Sequence, residues 1–554
     1  MSSAARAAAP VAPQPTPAGG ASPSTQPAPG AAADGEAGAG WVVAALFAFA
    51  LVLGAYFSFR FGGRWSEADT ATIADTIRAM VRDQTLLSPS GSIYSNGYAF
   101  GAVTTFVLAF TGLDLPTLMQ SVYPLVSASL ALVAWPLYRE LTGSTRGATL
   151  ATLLMFAQPE LVFVILRGSH ERILRVLLLI SLFLLIRSFR FSDRPRSYAA
   201  YVSLFYLTVY GVIATNSFFG SSYIGALAIT LVGSWFGGFF GPNLAWVSQA
   251  TRQRLIYVPV FCLVLVFLFN SYIYPPAGAV TSQVPDILDR LSRLLLTTSP
   301  ESGPSAVTSY DPYAAVVDQW IDVKVYFLLS TGTFFLMIAS AIVWLRTGLR
   351  WLAGGAHRPT LGQWLLWLFY AAFALQGGLS IVADRAGALG GNLQHRTFPS
   401  FVMVAAPMVA LYFVDWRPGR RTRMLGAFGL GLLAVLAIVK ATNEPAVSNK
   451  WTFYLPAEVA AMEFAGQHVE QSEYWSEFDE RLRTVQSLLG SSAEARPYGG
   501  QIDPSTRNFL VTDVARLRSA RLNRPLPPVL GELRVYDNGA GQMYHIRARS
   551  PYQD

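Results

Sequence analysis

Three groups of ionisable residues, placed where apolar runs begin or end, are the ones that could do chemistry. Glu67 and Asp69 form an E-x-D pair close behind Trp41–Phe59, an apolar run long enough to cross a bilayer. A carboxylate at that point can take a proton from a hydroxyl or hold a divalent cation through its oxygens. The second group, Arg167-Gly168-Ser169-His170-Glu171-Arg172, is a polar turn between two apolar runs, with Arg175 just beyond it and Pro159-Glu160 before it. The third is Asp384, Arg385, His395 and Arg396, the H-R pair opening another apolar run. Guanidinium groups at headgroup depth can grip a phosphate bidentately.

Each group has a plainer reading beside the chemical one. Ser66 or Asp69 before T-A-T-I is a helix start signal, although a capping loop also fixes a carboxylate in place. A turn between two spans needs only glycine and a polar residue, and arginine near a span end can snorkel to lipid phosphates. The turn at 167–172 goes further than this, because its arginines call for an offsetting anion, a bound phosphate or lipid headgroups.

Composition decides what must position these groups. The chain has 554 residues, 52% hydrophobic and only 13% charged, with a mean hydropathy of +0.38. That composition with its many runs near ~20 residues excludes a soluble globule and specifies a polytopic α-helical membrane protein. Formal net charge is +8, and in such a protein the placement of the cations matters more than their sum. A single cysteine, Cys262, rules out an internal disulfide. Residues 1–40, rich in Ala, Pro, Gly and Ser, are expected to form a disordered cytoplasmic tail.

The expected spans are Trp41–Phe59, Leu118–Tyr138, Ala148–Leu166, Ile173–Ile186, Tyr198–Ala214, Tyr223–Phe240, Leu255–Ile273, Val325–Leu345, Trp364–Val382, Thr397–Phe413 and Met424–Val439. These make about eleven spans within residues 41–440. Leaving Tyr98–Leu113 as a non-crossing helix puts the basic connections Arg139/Arg146, Arg187–Arg196, Arg252/Arg254, Arg346–Arg358 and Arg417–Arg423 on the side of the N-terminus, the cytoplasm. The chain is thus expected in the cell membrane with its C-terminus outside.

The outer face then carries the first loop (60–117) with an interfacial helix over Thr72–Leu87, its apolar face formed by Ile73, Ile77, Met80 and Val81. It also carries the turn Arg167–Arg172, a long loop (274–324), the loop Ala383–Arg396, and a tail (441–554). The long loop includes an amphipathic stretch, Pro285–Leu296, and Asp311 in S-Y-D-P-Y. The tail, about a fifth of the chain, reads as a small α/β or irregular domain. Ala457–His468 and Tyr474–Leu489 are helical by pattern, while Asn508–Val511 and Glu532–Tyr536 are strand-like. Tyr474, Trp475 and Asp479 form no catalytic pattern and are assigned to structure.

With these residues in view, the chain resembles the GT-C superfamily of polytopic glycosyltransferases, which use sugars carried on polyprenyl or dolichyl phosphates. The resemblance covers roughly Trp41–Phe191: a span, an outer loop with E-x-D, an interfacial helix, a Y-x-x-G-Y-like element (Tyr94, Gly97, Tyr98), a non-crossing helix, a span ending in Y-R-E-L-T-G-S-T-R-G, and a polar outer turn. It implies that Asp69 is the catalytic carboxylate with Glu67 as partner, and that His170 and Glu171 stand where oligosaccharyltransferase-like members carry a second acidic motif. The chain departs from that pattern in having His170 for one of the two acids and in lacking a W-W-D-Y-G element.

The expected activity is transfer of a hexosyl or pentosyl group from a polyprenyl-phosphate carrier to an acceptor hydroxyl of a glycan, lipid or protein, with inversion. Asp69 would be the base, and Arg172, Arg396 and Arg167, with His170, Glu171 and His395, would bind the phosphate and substrate. If Mg2+ or Mn2+ is used, Glu67, Asp69 and Glu171 are its expected ligands. Nucleic acid is not among the expected partners. A transporter or flippase of lipid-linked glycans and a non-catalytic assembly subunit are the rival readings; the first lacks the paired halves common in transporters.

Overall fold

The structure, a computed structural model, describes residues 29–63, 68–88, 96–192, 194–236, 249–278, 325, 327–353, 359–385, 393–414, 419–442, 453–468, 472–475, 479, 482, 494–496, 508–522 and 533–545. Glu67, Tyr94, Pro285–Leu296 and Asp311 lie outside them, and of Asp69, Asp384, Arg385 and His395 the backbone alone is described. The chain divides into Met1–Val42 and Val43–Asp554. In the first unit helix is present from Pro29, within the stretch expected to be a disordered tail, where alanine supplies high helix propensity.

The helices are α1 (Pro29–Phe61), α2 (Ala68–Arg82), α3 (Ala99–Thr111), α4 (Leu115–Thr142, with a wide turn at Leu118–Val122), α5 (Thr145–Phe156), α6 (Pro159–Leu166), α7 (Glu171–Arg190), α8 (Pro195–Thr215), α9 (Ser217–Phe236) and α10 (Gln249–Leu268). Further along the chain come α11 (Thr331–Leu352), α12 (Leu361–Arg385), α13 (Leu393–Phe413) and α14 (Arg420–Thr442). Among the described residues eight helices are long and apolar enough to cross a membrane, or nine with α5 and α6 taken as one span bent by 74°.

Two of the eleven expected spans do not meet that standard. The helix α7 carries Arg172, Arg175, Arg187 and Arg190, and Tyr257–Ile273 is a shorter apolar helix. The expected straight span Ala148–Leu166 is broken, for a local reason. Pro159 has no N–H to donate and forces the preceding Gln158 out of helical geometry (φ −103°, ψ 114°), so the chain turns there.

The interfacial helix α2 starts earlier and ends earlier than Thr72–Leu87, because Gln84 adopts a left-handed conformation (φ 51°) that stops it. Ile73, Ile77 and Met80 are buried as expected, but Val81 is exposed. At 13 residues α3 is too short to cross a bilayer, in keeping with its assignment as non-crossing.

In the tail, α15 (Pro456–His468) precedes a five-stranded sheet in the order β2-β1-β3-β5-β4, with α16 (Asp513–Leu522) after the third strand. Strand β1 (Ser472–Trp475) runs parallel to β2 (Glu494–Arg496) and β3 (Asn508–Thr512), while β5 (Gly541–His545) is antiparallel to β3 and β4 (Leu533–Asp537). The helix expected over Tyr474–Leu489 is therefore wrong at its start: Tyr474 and Trp475, aromatic residues suited to a pleated surface, sit in a strand paired on both sides. Asp479 is fully buried and accepts a hydrogen bond from Thr512 Oγ1 at 2.8 Å, a structural role.

One apolar core joins this domain to the first loop. Ile73 and Ile77 of α2, Phe100 of α3, and Met119 and Tyr123 of α4 pack in one cluster with Met462, Leu510 and Met543 of the tail.

Candidate functional site

The first turn of α2 meets the polar turn 167–172. The Gly168 N–H donates to Thr70 Oγ1 at 3.1 Å, and Thr70 is completely buried. Asp69 directly precedes Thr70, in the first turn of the helix. Contact is close enough to require glycine: a Cβ at position 168 would lie 2.5 Å from Thr70 Cγ2. Gly168→Ala is expected to pry the two segments apart and cost about 1–3 kcal/mol. Thermal unfolding in detergent measures this, and an unchanged midpoint would show the contact to be slack.

Within the turn, α6 ends at Leu166, Arg167 is extended, and Ser169 N–H donates back to Arg167 O at 2.8 Å. Glu171 then opens α7 with its carboxylate between two guanidiniums, those of Arg167 and, at 3.0 Å, Arg175. Burial alone would raise the Glu171 carboxyl, but the charges of Arg167 and Arg175 hold it down to about 2. The anion that the clustered arginines demanded is thus supplied largely by the chain itself.

Arg172 was expected to grip phosphate. Instead its guanidinium, buried to 2% exposure, donates to the carbonyls of Met119 (3.4 Å), Leu166 (2.6 Å) and Arg167, and lies over the Tyr123 ring. It staples the turn to the wide turn of α4. The Arg167 guanidinium stacks on Phe163 besides pairing with Glu171.

His170 sits between Phe100 and Phe219 with Nε2 2.8 Å from Asn216 Nδ2. The Asn216 Oδ1 accepts from Phe219 N–H at 3.1 Å, which turns the amide NH2 toward the histidine and makes Nε2 an acceptor. Beside it a cavity of about 30 Å3, lined by Ile77, Ser88 and Asn96 among others, has room for about one water. The adjacent Gly97 is needed because a Cβ there would lie 2.5 Å from Ala214 O, while Tyr98 Oη meets Tyr210 Oη at 2.9 Å. This anchors the Gly97-Tyr98 part of the Y-x-x-G-Y element on the end of α8.

Arg175 reaches across to α13, donating to Ser400 Oγ and to Arg396 O at 3.3 Å. The Arg396 guanidinium, half-buried, makes no hydrogen bond or ion pair among the described residues. Its neighbours Gln394 and Thr397 line a cavity of about 460 Å3, walled by α6, α11, α12 and α13 and within the size range of ligand pockets. On the α6 side Glu160 pairs with Lys440 at 2.6 Å and accepts from Thr333 at 2.7 Å.

The structure therefore brings together the α2 turn holding Asp69, the 167–172 turn and the start of α13. It leaves Glu67 and the side chains of Asp69 and His395 undescribed. Thr70, Asn216 and Ser400 were missed from sequence; each is an ordinary small polar residue with nothing in its spacing to mark it. Of the expected metal ligands, Glu171 has its two oxygens on Arg167 and Arg175, while Glu67 and the Asp69 side chain lie outside the described residues.

No protein-family model and no curated protein sequence matches the chain. Among solved structures it is similar to the Archaeoglobus fulgidus oligosaccharyltransferase in the apo form, at 13% identity over 87% of this chain and 69% of that one, with a TM-score of 0.48. The same enzyme tethered to an acceptor peptide containing the NVT sequon matches at 13% identity over 87% and 68%, TM-score 0.46. ArnT from Cupriavidus metallidurans in the apo state matches at 13% identity over 92% and 98%, TM-score 0.43.

Proposed function

We propose that the chain is a GT-C type membrane glycosyltransferase that moves a sugar from a polyprenyl-phosphate carrier to an acceptor hydroxyl on the extracytoplasmic face. The observation that carries this reading is the Thr70–Gly168 hydrogen bond, which sets the residue after Asp69 against the turn that leads into α7, whose Arg175 reaches the Arg396 carbonyl. A base position and an unpaired cation thus share one end of the bundle, as transfer from a lipid phosphate needs.

In the reaction the acceptor hydroxyl loses its proton to the Asp69 carboxylate as its oxygen attacks the anomeric carbon. The bond from that carbon to the phosphate oxygen breaks, and the electron pair leaves on the phosphate. Arg396 compensates the charge that develops there. Single displacement inverts the anomeric centre. Arg167, Arg172 and Arg175 act indirectly, by fixing the turn. Arg396 differs from these three in that its guanidinium makes no hydrogen bond or ion pair among the described residues.

The test is a proteoliposome assay with a labelled polyprenyl-phosphate sugar and a hydroxyl acceptor. Release of polyprenyl phosphate in step with new glycoside supports the reading; movement of intact donor across the bilayer without cleavage overturns it in favour of a flippase. In the same assay Arg396→Ala is expected to lower kcat/KM for the donor about 30- to 150-fold, by removal of a charge-assisted contact worth about 2–3 kcal/mol. Arg396→Lys should recover part of that. An Arg396→Ala enzyme with unaltered kinetics would remove this residue from the site.

A further inference from the structure

We propose that the end of the bundle away from the 167–172 turn holds a binding site for an anionic glycerophospholipid, in a cleft between α14 and the helices α5, α11 and α13. The cleft has a volume of about 1090 Å3 and is walled by apolar side chains such as Leu150, Phe335 and Leu433. Arg146, at the start of α5, and Arg423, at the start of α14, also line it. Neither guanidinium makes a hydrogen bond or ion pair among the described residues, and both are exposed.

The cleft exists because α14 is held at one end. Near its C-terminus Lys440 pairs with Glu160, and Ala437, Ala441 and Thr442 are buried. Toward its N-terminus the helix stands off the bundle, with Met424, Leu425 and Phe428 exposed. From Arg423 to Lys440 is about 25 Å of helix at ~1.5 Å per residue, close to the ~30 Å hydrocarbon thickness. Arg423, with Arg146 in the same cleft, therefore lies about the depth of the hydrocarbon core away from the Glu160 end, on the side where the chain's other basic connections are expected to gather.

Charge and shape together identify the occupant. An apolar slot of this size in a lipid-solvated protein takes acyl chains, and two guanidiniums at its mouth with no partner among the described residues select a headgroup of net negative charge over a zwitterionic one, whose own cation offsets its phosphate. The site stands whether or not the chain transfers sugars, since it shares no residue with the candidate site.

The test uses the full chain in nanodiscs of phosphatidylcholine containing phosphatidylglycerol, with retained lipid counted by native mass spectrometry. Wild type is expected to retain phosphatidylglycerol preferentially, and Arg146→Gln with Arg423→Gln to lower that preference about 10- to 30-fold. Arg146→Lys with Arg423→Lys should keep most of it. A Cβ at Gly429 meets nothing within 4 Å, so Gly429→Phe can fill the slot without striking the backbone, and it should reduce retention of both lipids. Equal retention of the two lipids by wild type, an undiminished preference in the glutamine variant, unchanged retention in Gly429→Phe, or displacement of the lipid by inorganic phosphate each overturns the proposal.

Discussion

Asp69→Asn is expected to reduce sugar transfer by about 10²- to 10⁴-fold, the usual contribution of a positioned general base, while binding of the polyprenyl-phosphate donor changes little. The amide is close in size to the carboxylate, so the first turn of α2 and the Thr70–Gly168 contact should survive and thermal stability should stay near wild type. Loss of the base lowers kcat and leaves the donor's equilibrium affinity in place. Both quantities come from the proteoliposome assay and a donor-binding titration. Transfer within about threefold of wild type would mean that Asp69 is not the base; equal loss of binding and turnover would make it a binding residue.

The second large effect concerns stability. Glu171→Gln leaves Arg167 and Arg175 buried with no counter-charge between them, which is expected to cost about 3–5 kcal/mol. Glu171→Asp, which keeps the charge, should cost less. Denaturation in detergent reads both, and a cost below about 1 kcal/mol would show that solvent or lipid compensates the arginines.

Acid should erode the same contribution in a predictable direction. The folded carboxyl is held at about 2, below its unfolded value of about 4.3, so its stabilisation is complete above the unfolded value and fades as pH falls toward 2. The stability gap between wild type and Glu171→Gln should therefore be constant near pH 6 and narrow progressively below about pH 4. A gap independent of pH down to 2 would place the effect in packing alone.

What could be read ahead of the structure was set by physics local to the chain. Apolar runs located nearly all the helices, and arginines crowded against the expected charge bias marked the turn 167–172 as unusual. Which anion offsets them was not legible in isolation: Glu171 stands at the four-residue spacing from both Arg167 and Arg175, yet that becomes informative only when all three are buried. The role of Arg172 was hidden for another reason, since one of its acceptors, Met119, is remote in sequence and carbonyl oxygens carry no side-chain signature. The break between α5 and α6 did have a signal, Pro159, which hydropathy outweighed. In the tail, a helical period over Tyr474–Leu489 lost to strand pairing on both sides of Tyr474.

The shared core beneath the tail has a practical corollary. Ile73 and Ile77, on the helix that begins beside Asp69, are roofed by Met462, Leu510 and Met543. Deleting everything past Thr442 would strip that roof and leave α2 with a greasy, water-facing underside and no foundation. Such a shortened protein would be inactive through collapse of its first loop, and its inactivity would say nothing about whether the sheet itself touches an acceptor.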